Sequence, residues 1–86
     1  MTEDEKALID IDLSILGSSE ELYDEYTKQI RKEYSFVTKG LYTKGRGALL
    51  KEFLSKEYIY ETDYFKDLFE ERARENIARE YYALMS

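Results

Sequence analysis

Histidine is absent from this 86-residue chain, and so are cysteine, proline and tryptophan. Without histidine the chain lacks the commonest general base and the commonest transition-metal ligand. Any hydrolytic chemistry confined to these residues would have to run on carboxylates, lysine and tyrosine. Without cysteine there is no disulfide and no thiolate chemistry, which leaves the redox compartment open. The absence of proline and the presence of only four glycines suit a chain that is helical over nearly its whole length. No apolar run approaches the roughly 20 residues of a membrane span. Thr2-Glu3-Asp4-Glu5 carries the wrong sign for the start of a signal peptide. A soluble, cytoplasmic protein that does not engage membranes is the expectation. Nineteen acids against thirteen bases give a net charge of −6. That balance argues against nucleic acid, which is bound through an excess of lysine and arginine.

What is present is aromatic and periodic. Apolar residues make up 43% of the chain, with nine tyrosines and four phenylalanines, so much of the core should be aromatic, with phenol hydroxyls needing partners. The length allows one small domain, residues 1–86, burying about 60–65% of the surface its unfolded chain exposes. The fold class expected is all-α, a small bundle of four helices over about 3–16, 19–36, 39–55 and 63–84. Thr2-Glu3-Asp4-Glu5 and Ser18-Ser19-Glu20-Glu21 read as capping patterns, with Thr38 and Thr62 as further N-caps. Gly17 is a natural residue to end the first helix. Tyr23, Tyr26, Ile30, Tyr34 and Val37 recur at spacings of three and four and form a core stripe.

Gly40, Gly45 and Gly47 crowd the start of the third helix. They fit either a close approach by another helix or a weak phosphate cradle at Lys44-Gly45-Arg46-Gly47. Lys56 to Glu61 should be an extended connector with Ile59 tucked in, and Glu70 to Glu75 a solvated, salt-bridged surface. The last two helices are expected to pair antiparallel with the first two across them. Phe36, Leu49, Phe53, Phe65, Phe69 and Ile77 are the first choices for the core.

One stretch departs from plain core. In Asp10-Ile11-Asp12-Leu13-Ser14-Ile15-Leu16-Gly17, Asp12 falls inside a helical stripe formed with Leu8, Ile9, Ile15 and Leu16. A carboxylate buried alone costs several kcal/mol, so it must be paired, hydrogen-bonded, at a cleft, or metal-bound. Asp10 lies roughly 200° around the helix from Asp12, so the two cannot easily hold one ion. The simplest alternative is that Asp12 sits at the edge of the stripe in solvent.

Asp10-Ile-Asp12-Leu-Ser-Ile-Leu-Gly17, Arg31-Lys-Glu-Tyr34, Gly45-Arg46, Phe53-Leu54, Ile59-Tyr60 and Arg72-Ala-Arg-Glu-Asn-Ile-Ala-Arg79, in that order, resemble the C-terminal half of a bacterial subgroup of HD-domain metal-dependent phosphohydrolases. The resemblance covers nearly the whole chain from Leu8 onward. It implies a helical enzyme whose divalent metal is held by a histidine, an adjacent His-Asp pair and a distant last aspartate. That last ligand maps to Asp12, with Asp10 as the alternative. Whether the metal is Mn, Mg, Fe, Ni or Zn is left open. Arg31, Arg46 and Arg74 would be either phosphate contacts or salt-bridge partners. Because the histidine-bearing half is missing from this sequence, no catalytic residue is assigned, and the chain alone is expected neither to bind a metal nor to catalyse. Apolar surface around Leu8, Ile9, Ile15 and Leu16 should then be covered by a His-bearing N-terminal half or by self-association as a dimer. The competing expectation is a small acidic helical protein-interaction module with no chemistry.

Overall fold

The structure, a computed structural model, describes residues Met1–Ser86. It is all-helical: α1 (Glu3–Asp12), a 3-10 turn (Ser14–Gly17), α2 (Glu20–Glu33), α3 (Lys39–Ser55) and α4 (Asp63–Met85), with no strand. No helix is long and apolar enough to cross a membrane. All four helices start where a hydroxyl can satisfy an otherwise unpartnered amide. The side chains of Thr2, Ser19, Thr38 and Thr62 accept from the amides of Glu5, Leu22, Leu41 and Phe65. At Thr2 the acid's return contact is made to the hydroxyl instead of the backbone: Thr2 Oγ1 donates to Glu5 Oε1 at 3.2 Å.

The first helix is shorter than its periodicity suggested. It stops at Asp12, and the chain tightens into a 3-10 turn that carries Leu16 and Gly17 into the interior. Asn76 on α4 holds this turn in place, its side-chain amide donating to the carbonyls of Leu16 and Ser18, both at 2.9 Å. Gly17 has no positive φ, so it does not serve as a left-handed helix stop. Its role is clearance: a Cβ there would lie 2.5 Å from Phe69 Cβ and 2.9 Å from its Cδ1. Because Phe69 Cβ is fixed to the α4 backbone, the turn itself would have to lift. Gly17→Ala should therefore destabilise by about 1–3 kcal/mol, measured by urea denaturation. Gly45→Ala, where a Cβ meets open space, should be neutral or stabilising by up to about 1 kcal/mol.

The α3 and α4 helices run antiparallel. Arg46 meets Glu80 toward one end, and Leu54 meets Arg74 toward the other. The start of α2 packs against the last third of α4 through Tyr23 and Glu80, and the 3-10 turn crosses the middle of α4. The core is Leu16, Tyr23, Leu50, Ile59, Tyr60, Ala73 and Ile77. Two expected core residues lie outside it. Phe36 is 81% exposed because α2 ends at Glu33, so Phe36 falls in the following turn beside Tyr34, ring centroids 6.0 Å apart. Leu49 is exposed because Leu50, one residue on and 100° around the helix, takes the side facing α4. Phe53, Phe65 and Phe69 are half-buried against the core and Ile77 is fully buried. Close approach at a glycine of α3 occurs at Gly47, against Met85 and Leu84, while Gly40 and Gly45 border open space.

Candidate functional site

The connector between α3 and α4 is built by side chains. Residues 59–62 form no helix or strand, yet their four consecutive amides all have partners on two carboxylates. Glu70 accepts from Ile59 and Tyr60, with distances of 2.8 to 3.1 Å. Asp10 accepts from Glu61 and Thr62, each at 2.8 Å. Arg74 completes the arrangement from the donor side. Its guanidinium donates to Glu70 and to the carbonyls of Leu54, Lys56 and Glu57. The expected solvated, salt-bridged surface at Glu70–Glu75 holds in part: Glu71, Arg72 and Glu75 are exposed and Glu70 pairs with Arg74, but that pair also fastens the connector, and Ala73 beside it is fully buried. Ile59 and Tyr60 are buried as a result, and Tyr60 Oη donates to the Leu13 carbonyl at 2.8 Å.

Asp10 is fully buried. Its Oδ1 accepts from the Glu61 amide, and its Oδ2 from the Thr62 amide and, at 2.7 Å, the Thr62 hydroxyl. Burial pushes its pKa up, but those three hydrogen bonds and the nearby charge of Lys66 outweigh it and hold the carboxyl below the usual aspartate range. Both oxygens are used in joining α1 to the start of α4, so Asp10 does not fit the role of a metal ligand. Asp12 occupies the opposite side of α1 and is exposed. Of the two readings of Asp12 the solvated one holds, but the stripe itself faces outward: Asp10 is the interior residue, and the helix turns Leu8, Ile9 and Ile11 to solvent. Asp12 shares that outer face with Leu8 and Ile9, four and three residues before it. One exposed carboxylate falls short of the three or more protein ligands a catalytic metal takes, and no group of three acidic side chains converges elsewhere.

The three arginines are engaged separately. Arg31 closes the end of α2, donating to the carbonyls of Tyr34 (2.9 Å) and Val37 (3.3 Å) with its guanidinium 4.6 Å from the Tyr42 ring centroid. Arg46 forms a two-pronged ion pair with Glu80 at 2.7 and 3.0 Å, and Tyr23 Oη donates to the same carboxylate. Burial works against the Arg46 charge, and Glu80 more than restores it. Arg74 stands at the connector. Arg31 stands over the Tyr42 ring and Arg46 has its guanidinium 5.7 Å from the Tyr26 ring centroid, whereas Arg74 lies at the middle of α4. The sequence marked all three as salt-bridge partners or phosphate contacts; Arg31 instead caps the carbonyls of Tyr34 and Val37, three and six residues on, while the carbonyls that Arg74 caps lie 17 to 20 residues back, beyond any local spacing. Glu70 and Glu80, which do as much as any arginine, gave no signal in a helix already rich in charge.

No protein-family model, curated protein or solved structure matches this chain.

Proposed function

We propose that this chain is the C-terminal helical portion of an HD-type metal-dependent phosphohydrolase, contributing Asp12 to a site completed by a His-bearing portion that packs on α1. The outward apolar face of α1 carries this proposal. Amphipathic helices bury their apolar side; α1 buries an aspartate and leaves Leu8, Ile9 and Ile11 in solvent with an unengaged carboxylate beside them. Such a face gains stability when another helical surface covers it, and covering it would place Asp12 at the rim of the new interface. Asp10 would serve from behind, keeping α1 fixed to α4. The remaining ligands would come from the partner, and the metal so held would activate a water for attack on a phosphoester. The residues of this chain would bind and orient; alone they would not catalyse.

The test begins with the DNA upstream of Met1, translated in all three forward frames. If a frame encodes a histidine and a later His-Asp pair, that segment is co-expressed with this chain and assayed with manganese and a phosphomonoester. Phosphate release is expected from the pair and from neither part alone. Asp12→Asn should lower it at least about 100-fold while changing the stability of this chain by no more than about 0.5 kcal/mol. Absence of such a frame, or hydrolysis indifferent to Asp12→Asn, overturns the proposal. The second reading, a non-catalytic interaction module, is favoured by a separate observation, an apolar groove between α2 and α3 lined by Ile30, Tyr34, Val37, Leu41 and Leu49.

A further inference from the structure

Charge is distributed unevenly along this acidic chain. Residues 28–51, the second half of α2 and most of α3, hold seven of the thirteen basic residues and a single acid, Glu33. Three of those cations line one cavity of about 350 Å³, bounded by α2, the start of α3 and the last turns of α4. Lys28 and Arg31 belong to α2 and Lys39 to α3. Lys28 and Lys39 are exposed, and neither forms an ion pair. Arg31 is held by the carbonyls of Tyr34 and Val37 and by the Tyr42 ring, so its charge is fixed in place and no carboxylate neutralises it. Glu33 lines the neighbouring apolar groove and not this cavity. The carboxylates at the cavity are those of Glu80 and of the final residue, Ser86. Glu80 is already matched by the two-pronged ion pair with Arg46. Three cations are thus left facing one carboxylate.

We propose that this cavity binds a small organic phosphate monoester. The chain's net charge of −6 repels a long polyanion, whereas a local excess of cations around a cavity concentrates a compact anion. Lysine engages phosphate as a point charge, while carboxylate is best matched by the planar fork of a guanidinium. Here the two unpaired cations are lysines, and the one guanidinium that lines the cavity has its terminal nitrogens committed to carbonyls. Tyr42 and Thr43 bring hydroxyls to the same lining, and phosphate oxygens accept from hydroxyls as well as from ammonium groups. Ala83 and Leu84 supply an apolar wall. The volume exceeds that of a phosphate group and falls in the range of small-molecule sites, which leaves room for the ester's organic part beside α4. The cavity is remote from Asp12. Asp10 fastens α1 at Thr62, whereas the cavity borders α4 from Glu80 onward, about 27 Å further along the helix. A phosphate held there is out of reach of a metal at α1, so neither proposal depends on the other.

Titration of the isotope-labelled full chain with phenyl phosphate at low ionic strength, followed by amide chemical shifts, tests this. The shifts should saturate and centre on Lys28, Arg31, Lys39 and Thr43. Inorganic phosphate should move the same amides but bind more weakly, since it leaves the apolar wall bare. Lys28→Met and Lys39→Met keep most of the stem and remove the charge. Each should weaken phenyl phosphate about 5- to 10-fold, and the double variant should weaken it further. Lys32→Met removes an exposed cation of the same segment that lies outside the cavity, and should change the affinity by less than about 2-fold. Circular dichroism checks that each variant keeps its helices; if either cavity variant loses helix, Lys28→Gln or Lys39→Gln replaces it. Shifts that do not saturate overturn the proposal. So does a loss from Lys32→Met as large as that from Lys28→Met or Lys39→Met, which would mean non-specific attraction to the basic segment. Inorganic phosphate binding as tightly as phenyl phosphate also overturns it, leaving an adventitious ion only.

Discussion

Asp10→Ala should destabilise the protein by about 3–5 kcal/mol, a large part of the roughly 5–10 kcal/mol expected for a domain of this size. The substitution leaves the Glu61 and Thr62 amides and the Thr62 hydroxyl without their acceptor. It also frees α1 from α4 and loosens the connector that presents Tyr60. Each unsatisfied buried donor costs about 1–3 kcal/mol, and water can recover part of that at the connector's exposed edge. Asp10→Asn should cost less, about 2–3 kcal/mol, because one oxygen still accepts while the amide group is turned toward donors. Urea denaturation at neutral pH measures both. The pH dependence has a definite sign. The folded-state pKa of Asp10 is lowered, so its contribution is whole above the unfolded value of about 3.9 and is lost as pH falls below it. The Asn variant should lack that part of the acid limb.

Glu80→Ala should be comparably severe, about 3–5 kcal/mol, because it strands the Arg46 guanidinium. The side chains of Arg46 and Glu80 are only 9% and 11% exposed, and Tyr23 Oη loses its acceptor at the same time. Replacing the cluster as a unit should be mild: Tyr23→Phe, Arg46→Met and Glu80→Leu together should recover most of the loss, since no buried charge is left unpaired. The comparison of single and triple variants by denaturation separates stranding from simple loss of attraction. Tyr23 also gives the alkaline limb its sign. Burial first, then the hydrogen bond and charge of Glu80, push its pKa up; Tyr60 is pushed up by burial and by the charges of Glu70 and Asp10. Neutral tyrosine is thus favoured in the fold, and the associated stability is present below about pH 10 and lost above it. Tyr23→Phe should flatten that decline.

The helix starts were legible because an N-cap is a local contract between a hydroxyl and an amide three residues on; Thr2, Ser19, Thr38 and Thr62 each fulfil it. The span of α3 and the extended connector with its buried Ile59 were legible for similar reasons of pattern. The orientation of α1 was not. Its stripe of Leu8, Ile9 and Asp12 looks like an inward face, yet three donors at residues 61 and 62, some fifty positions away, draw Asp10 inside instead. Leu49 and Leu50 were equally hard to rank, since a rotation of one residue decides which of them meets α4. Of the candidate site, Asp10 and Asp12 could be singled out as unusual from the sequence. Which was structural depended on a distant partner.

By itself the sequence determined an all-α chain, its four cap sites and a composition without histidine or thiol chemistry. These follow from propensity and short-range hydrogen bonding, which act within a turn of helix. Tertiary structure decided that Gly17 gives clearance for Phe69, that Glu70 and Arg74 fasten the connector, and that Asp10 is interior while Asp12 is exposed. Each of those outcomes depends on satisfying a buried polar group or avoiding an overlap between residues far apart in the chain. No local periodicity carries that information.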